Sequence, residues 1–135
     1  MPDVVAKILL VGTGGFLGSN LRYWLGAFLQ DRLSGAGTTF PWQTLIINVT
    51  GSLIIGFFMG LFQGLSWSPS WRLFFAIGIL GGYTTFSSFA YEAVGLLTQR
   101  QYGPALFYIE GSALLTVFGA WSGLVLARLV LGGRV

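Results

Sequence analysis

The amino-acid sequence predicts an all-α integral membrane protein whose four transmembrane helices form one domain over residues 1–135. Two observations support this prediction. Only 8% of the residues are charged and 54% are hydrophobic, whereas a soluble domain carries about 25% charged residues. Four apolar stretches also reach the length of about 20 residues that a helix needs to cross a bilayer. We therefore expect a lipid bilayer to surround the chain.

The four stretches follow one another through short connectors. We predict spans at residues 4–29, 42–65, 71–97 and 103–131, with connectors at residues 30–41, 66–70 and 98–102. Pro69 gives the second connector turn chemistry, and Trp or Tyr side chains mark several span ends, where a helix meets the lipid headgroups. The first ten residues lack the basic region and small-residue cleavage site of a secretory signal, so we expect them to begin the first span.

Positive charge specifies the orientation of these spans poorly. With both termini on one side of the membrane, four cationic residues lie on that side and three lie on or near the other. The first group is Lys7, Arg72, Arg128 and Arg134, and the second is Arg22, Arg32 and Arg100. Under the positive-inside rule, this difference of one charge allows two interpretations. Either the difference is too small to be informative, or the chain inserts in both orientations, which would permit an antiparallel dimer. The scattered charges offer no patch for nucleic acid.

Small residues recur every four positions on three of the spans. The series on the second span is Asn48, Ser52, Gly56, Gly60 and Gly64, and shorter pairs are Gly14 with Gly18 and Gly119 with Gly123. Residues four apart share one face of a helix, so these positions form faces along which two membrane helices approach closely. The faces serve either packing within one chain or contact between two chains.

The third span contains a segment that suits a continuous helix poorly. Gly81 and Gly82 begin it, and four serine and threonine residues follow before Phe89. Glycine costs helix stability, and these hydroxyls compete for the backbone. Helix breaks at membrane depth persist where protein or a water-filled path satisfies the freed groups, and they commonly mark ion sites. We expect the third helix to be broken mid-membrane and to form a site. The alternative is a kinked helix with a structural role only.

Neutral hydrogen-bond donors and aromatic rings are expected near this break. A cation would use freed carbonyl oxygens, whereas an anion would need donors and the positive edges of rings. Asn48 supplies an amide in the second span, and Phe86 and Phe89 are neighbours if the helix resumes after the break. Together with a polar stripe on the fourth span, these residues predict a polar track that passes aromatic edges. The stripe consists of Tyr108, Ser112 and Thr116.

Three motifs in this order resemble those of the Fluc fluoride channels, also called CrcB proteins. Residues 14–23, GGFLGSNLRY, resemble the GGxxGxxxRY pattern of the family's first span. Residues 44–52, TLIINVTGS, resemble its second-span TxxxNxxGS pattern, and residues 81–89, GGYTTFSSF, resemble its signature GGxTTFSxF. The resemblance covers nearly the whole chain.

This resemblance implies an antiparallel, dual-topology homodimer in a bacterial plasma (inner) membrane. Its two pores would passively and selectively export fluoride and so reduce the cytoplasmic fluoride concentration. The implied pore residues are Asn48, Phe86, Phe89, Tyr108, Ser112 and Thr116. A structural sodium ion at the dimer centre would be held by the backbone carbonyls of Gly81 and Thr84 from both subunits. Arg22 and Glu92 map to structural or gating residues of the family.

Two residues depart from the expected pattern. Ser19 occupies a position where many relatives have alanine, which changes little. Glu110 lies between Tyr108 and Ser112, and its carboxylate would repel an anion if it faced the pore. On a helix it lies about 200° around the axis from both neighbours. We therefore expect Glu110 to lie off the polar track.

The alternative from another class is a coupled exporter of the small multidrug type. Such a protein needs a carboxylate embedded in the membrane, and only Glu92 and Glu110 are candidates, both toward span ends. A purely structural subunit would leave the broken span and the polar stripe unexplained. The chain has no His and no Cys, and no nucleophile with a partner base is evident, so we predict that it is not an enzyme.

Overall fold

The computed structural model describes residues 2–33 and 39–133. Part of the first predicted connector, residues 34–38, and Arg134 of the charge count lie outside these residues. All regular structure in the described part is helical. The elements are α1 (Pro2–Leu33), α2 (Trp42–Gly64), α3 (Pro69–Arg72), a π-helical segment (Leu73–Leu80), α4 (Gly81–Tyr83), α5 (Phe86–Thr98) and α6 (Tyr102–Val130).

Four helical stretches are long and apolar enough to cross a membrane, which confirms the predicted number of spans. They are Asp3–Leu33, Trp42–Gly64, Pro69–Thr98 and Tyr102–Val130. Their bounds lie within two residues of the predicted ones except at the end of the first span, which continues to Leu33 rather than residue 29. The guanidinium of Arg32 lies 5.1 Å from the centroid of the Phe28 ring. A cation in the last turn also interacts favourably with the helix dipole and stabilises the end of the helix. These contacts let the helix continue through polar residues that hydropathy alone excludes.

Small residues let the spans pack closely within the chain. Helix α2 packs mainly along α6. A Cβ atom on Gly56 would collide with the backbone carbonyl of Ala120, and one on Gly123 would collide with that of Leu53. The faces that the sequence analysis singled out on these two helices therefore serve intrachain packing, the first of the two interpretations.

Helix α1 packs along the π-helical segment and α4. A Cβ atom on Gly14 would lie 2.9 Å from the Cα atom of Gly78, and one on Gly18 would collide with the carbonyl of Ile79. The π-helical segment is wider than an α-helix, and glycines on α1 leave room for it. This π-helical segment was not predicted from the sequence.

Extended backbone separates α4 from α5. Thr84 has φ −81° and ψ 156°, and Thr85 has φ −148° and ψ 118°. The Thr85 hydroxyl oxygen then accepts a hydrogen bond of 3.2 Å from the backbone N–H of Ser88, which caps the N-terminus of α5. The Thr84 N–H still bonds to the Leu80 carbonyl at 3.0 Å, whereas both backbone groups of Thr85 need partners outside regular helix.

Candidate functional site

The amide of Asn48 on α2 supplies partners for the extended backbone of Thr85. Its Nδ2 donates to the Thr85 carbonyl at 2.9 Å, and its Oδ1 accepts from the Thr85 N–H at 2.8 Å. A backbone donor and acceptor that leave a helix need replacements wherever water is absent. Asn48 provides both replacements and still has one N–H of Nδ2 that these bonds do not use.

A cavity of about 320 Å³ lies beside this pair of residues. It is lined by uncharged side chains and backbone from α2, the π-helical segment, α4, α5 and α6. The lining residues are Asn48, Gly51, Ser52, Ile55, Leu80, Gly81, Thr84, Thr85, Phe86, Phe89, Ser112, Ala113 and Thr116. The structure therefore brings together seven of the ten site residues that the sequence analysis named. The other three, Arg22, Glu92 and Tyr108, do not line this cavity.

The two hydroxyls of the polar stripe that line the cavity differ in what they can donate. Ser112 Oγ is buried and has no hydrogen-bond partner among the described residues. Thr116 Oγ1 donates to the Ser112 carbonyl of its own helix at 2.6 Å. Because a hydroxyl has only one proton, Thr116 offers a ligand lone pairs, whereas Ser112 can still donate.

Aromatic rings connect the cavity to the core around Tyr108. The ring centroids of Phe86 and Phe89 lie 5.4 Å apart, and those of Phe89 and Tyr108 lie 5.1 Å apart. Phe86 is 79% exposed, whereas Tyr108 is fully buried. Such inclined pairs can present ring edges, which carry the positive part of the aromatic quadrupole.

Tyr108 directs its hydroxyl to Glu92 instead of into the cavity. The Tyr108 hydroxyl donates to Glu92 Oε2 at 2.6 Å, and the Thr44 hydroxyl donates to Glu92 Oε1 at 2.8 Å. Both carboxylate oxygens of this half-buried residue thus have a donor. Thr44 was not among the predicted site residues, although its i,i+4 spacing from Asn48 was a signal that both share one face of α2.

Glu110 lies off the cavity, as expected. It is exposed, whereas Tyr108 and Ser112 on the same helix are buried. Its carboxylate is not among the groups that line the cavity. The 3.6-residue period of the helix accounts for this placement.

The backbone oxygens near the extended Thr84–Thr85 segment have the chemistry that a hard monovalent cation requires. The Thr85 N–H that would bond the Gly81 carbonyl in a continuous helix donates to Asn48 instead. Within residues 2–33 and 39–133, no donor reaches the Gly81 carbonyl, and the Thr84 carbonyl accepts only Arg22 Nη1 at 3.3 Å. Free carbonyl oxygens can replace the water shell of such an ion. Two oxygens from one chain give only part of a coordination shell, so the site fits a sodium ion if a second copy contributes the rest.

Long apolar helices and an uncharged cavity at an extended segment define a multi-pass membrane protein with a polar site between its spans. The chain matches the family described as CrcB-like protein, Camphor Resistance (CrcB), over residues 9–124. It belongs to this family.

Its relatives include proteins named fluoride-specific ion channel FluC from three organisms. The one from Rhizobium meliloti (strain 1021) is 47% identical over 122 residues, which cover 90% of this chain and 95% of the relative. One from Thermus thermophilus is 48% identical over 126 residues, 93% of this chain and 98% of the relative. The one from Sulfurihydrogenibium sp. (strain YO3AOP1) is 42% identical over 125 residues, 92% of this chain and 98% of the relative. The chain thus belongs to a family of ion channels and is not an enzyme.

Proposed function

We propose that this chain is a passive, fluoride-selective channel. The names of its relatives support fluoride as the ion. The observation on which the proposal depends is the uncharged cavity in which Asn48, the unpartnered hydroxyl of Ser112 and the rings of Phe86 and Phe89 converge. We propose that Thr116 and Tyr108 continue the pore, and that Glu92 and Arg22 support or gate it.

The chemistry of this lining suits a small anion that must also leave. Fluoride is strongly hydrated, so its entry into a narrow apolar region is costly unless donors replace the water. Asn48 and Ser112 offer neutral donors, and no Lys or Arg of residues 2–33 and 39–133 lines the cavity. A guanidinium in the lining would hold the anion tightly, whereas neutral donors replace part of its hydration and still permit release.

We further propose that two copies assemble as an antiparallel, dual-topology homodimer with two pores. In a single chain Phe86 is 79% exposed although it lines the cavity. A polar cavity that opens to lipid would leave its hydrogen-bonding groups without partners. A second copy over this side would close the cavity, and the nearly balanced distribution of cationic residues permits both orientations. We place the dimer in the plasma (inner) membrane of a bacterium, where it exports fluoride and reduces its cytoplasmic concentration.

A structural sodium ion at the dimer centre is part of the proposal. The Gly81 and Thr84 carbonyls of both copies would hold it, with four oxygens in total, and Arg22 would share the Thr84 carbonyl or release it. When bound, the ion supplies positive charge that attracts an anion about 8 Å away by about 2 kcal/mol at an effective dielectric of about 20. We also interpret the extended Thr84–Thr85 backbone as the mid-membrane break of the third span, which frees these carbonyls.

Fluoride efflux from liposomes with the potassium carrier valinomycin tests the proposal. A passive channel releases fluoride without a proton gradient, and release needs valinomycin to balance charge. A coupled exporter is the second candidate, because Glu92 is a half-buried carboxylate in a membrane span with two hydrogen-bond donors. Release that strictly requires a proton gradient would favour the exporter and contradict the channel.

A further inference from the structure

We infer that Tyr83 is a positioning residue whose hydroxyl fixes the α4 end of the break in the third span. This role deepens the proposed channel function and rests on it. Tyr83 is the last residue of α4 and is only 5% exposed. It neither lines the cavity nor belongs to the pore residues named above.

The hydroxyl of Tyr83 bonds to Thr50 on α2. The two oxygens lie 2.9 Å apart. Thr50 Oγ1 also lies 2.7 Å from the Ile46 carbonyl, which can only accept, so the single Thr50 proton is used there. Tyr83 is therefore the donor and Thr50 the acceptor. Removal of the tyrosine hydroxyl would leave Thr50 bonded to its own helix and would create no unpaired donor.

Close contacts from two spans hold Tyr83 in place. A Cβ atom on Gly18 of α1 would lie 2.9 Å from the Tyr83 backbone nitrogen. A Cβ atom on Gly51 of α2 would lie 3.1 Å from the Tyr83 ring and would collide with the side chain of Thr84. Tyr83 is thus packed between α1 and α2, with its hydroxyl as the polar contact to α2.

These contacts matter because regular helix ends at Tyr83. Helix α4 continues the π-helical segment directly, and the Thr84 N–H still bonds to the Leu80 carbonyl at 3.0 Å, but the Gly81 carbonyl accepts no donor in the described part of the chain. The last turn before the extended segment therefore lacks part of its regular hydrogen bonding. The Tyr83–Thr50 bond ties this turn to α2, and it thereby orients the Thr84 carbonyl, the next residue along the chain.

Helix α2 therefore contacts the chain both just before the extended segment and within it. Thr50 holds Tyr83 before it, and Asn48 holds Thr85 within it. The pair of contacts orients the cavity wall between them, including Thr84. If only the Asn48 contact remained, the segment could pivot about Thr85, and the donors that face the anion would no longer be aligned.

Liposomes that mostly hold a single protein assembly can separate positioning from folding. The fraction of trapped fluoride that is released counts active proteins, whereas the release rate reports conduction by each active protein. For Tyr83→Phe we expect the rate to fall about three- to tenfold, as one lost hydrogen bond implies, with an unchanged released fraction. Tyr102→Phe removes a hydroxyl from a tyrosine that is 59% exposed, and it serves as the matched control with the wild-type rate.

Thr50 variants complete the test. Thr50→Val should slow release at least as much as Tyr83→Phe, because it leaves the buried Tyr83 hydroxyl without an acceptor. The double variant should be no slower than Thr50→Val, because both substitutions remove the same bond. Thr50→Ser keeps the acceptor and should restore the wild-type rate. A wild-type rate in Tyr83→Phe, multiplicative effects in the double variant, or a fall in the released fraction alone would overturn the positioning role. Absence of release by the unmodified protein would instead overturn the channel proposal itself, and the positioning role with it.

Discussion

Asn48 binds both backbone groups of Thr85, although 37 positions separate the two residues in the sequence. The bond from Nδ2 is 2.9 Å long and the bond to Oδ1 is 2.8 Å long. One side chain therefore replaces the hydrogen bonds that Thr85 would make in a helix. The same amide lines the cavity, so the support of the extended backbone and the lining of the site depend on one residue.

Replacement of this amide by a carboxylate should stop conduction. In Asn48→Asp, the Thr85 carbonyl loses its donor, and a negative charge enters the cavity. Two like charges about 4 Å apart repel by about 4 kcal/mol at an effective dielectric of about 20, so we expect fluoride efflux to fall at least about a hundredfold. Gln63→Glu, an exposed position near the end of the same helix, is the control and should conduct normally. Normal efflux in Asn48→Asp would exclude the anion from this cavity.

The aromatic part of the site can be tested without loss of hydrophobic character. Phe86→Ile removes the ring edge but keeps an apolar side chain, so we expect at least about tenfold slower fluoride efflux with unchanged assembly. Size-exclusion chromatography in detergent reports the assembly. Phe118→Ile changes an exposed ring outside the cavity and should leave efflux unaltered. Equal efflux from both variants would show that ring edges play no part.

The sequence predicted the spans well because hydropathy and length are local properties. All four spans, and the position of Glu110 away from the cavity, follow from composition and from the period of the helix. The motif at residues 81–89 also indicated which segment would contribute cavity residues. Local sequence properties therefore gave the spans and most of the cavity lining.

Contacts between distant parts of the chain could not be predicted in the same way. The Tyr83–Thr50 bond depends on how two helices pack, and no periodicity encodes it. The π-helical segment Leu73–Leu80 is uniformly apolar and resembles any buried helix in sequence. For Tyr108, the i,i+4 spacing placed the residue on the correct face but did not show that Glu92 takes its hydroxyl.

Substitution by alanine should have opposite effects on protein stability at two glycines of α6. In Gly123→Ala, the added methyl would collide with the Leu53 carbonyl, and such overpacking costs about 1–3 kcal/mol. In Gly111→Ala, the methyl meets no atom within 4 Å, and alanine favours a helix over glycine by about 0.5–1 kcal/mol. Thermal unfolding in detergent should therefore show a lower midpoint for Gly123→Ala only. A similar loss in both variants would argue against the close α2–α6 contact.

Glu92→Gln distinguishes the channel from the coupled exporter. Glutamine has one side-chain acceptor oxygen where the carboxylate has two, so either the Tyr108 or the Thr44 hydroxyl can no longer donate to this residue. For a channel we expect fluoride efflux to fall no more than about tenfold, as one lost hydrogen bond implies. An exporter that depends on protonation of this carboxylate would lose transport completely. Glu110→Gln, at an exposed position, is the matched control for the loss of a charge.

Ser112→Ala tests whether the Ser112 hydroxyl contributes to fluoride efflux rather than to protein stability. The Ser112 hydroxyl is buried without a partner among the described residues, so alanine removes no hydrogen bond within the protein. An unpaired buried hydroxyl is unfavourable, and we expect the variant to unfold at the wild-type temperature or above it. If the hydroxyl donates to fluoride, efflux should nevertheless fall about tenfold.

Thr116→Val is the informative comparison for Ser112→Ala. It removes a hydroxyl that bonds to its own helix at 2.6 Å and whose proton is therefore not free for an anion. We expect its efflux to change less than that of Ser112→Ala, since a bond within one helix adds little to stability or to the pore. Thermal unfolding and efflux measured on the same preparations check both expectations. Unimpaired efflux in Ser112→Ala would show that this hydroxyl does not donate to the anion. The amide of Asn48 would then be the remaining neutral side-chain donor proposed in the cavity.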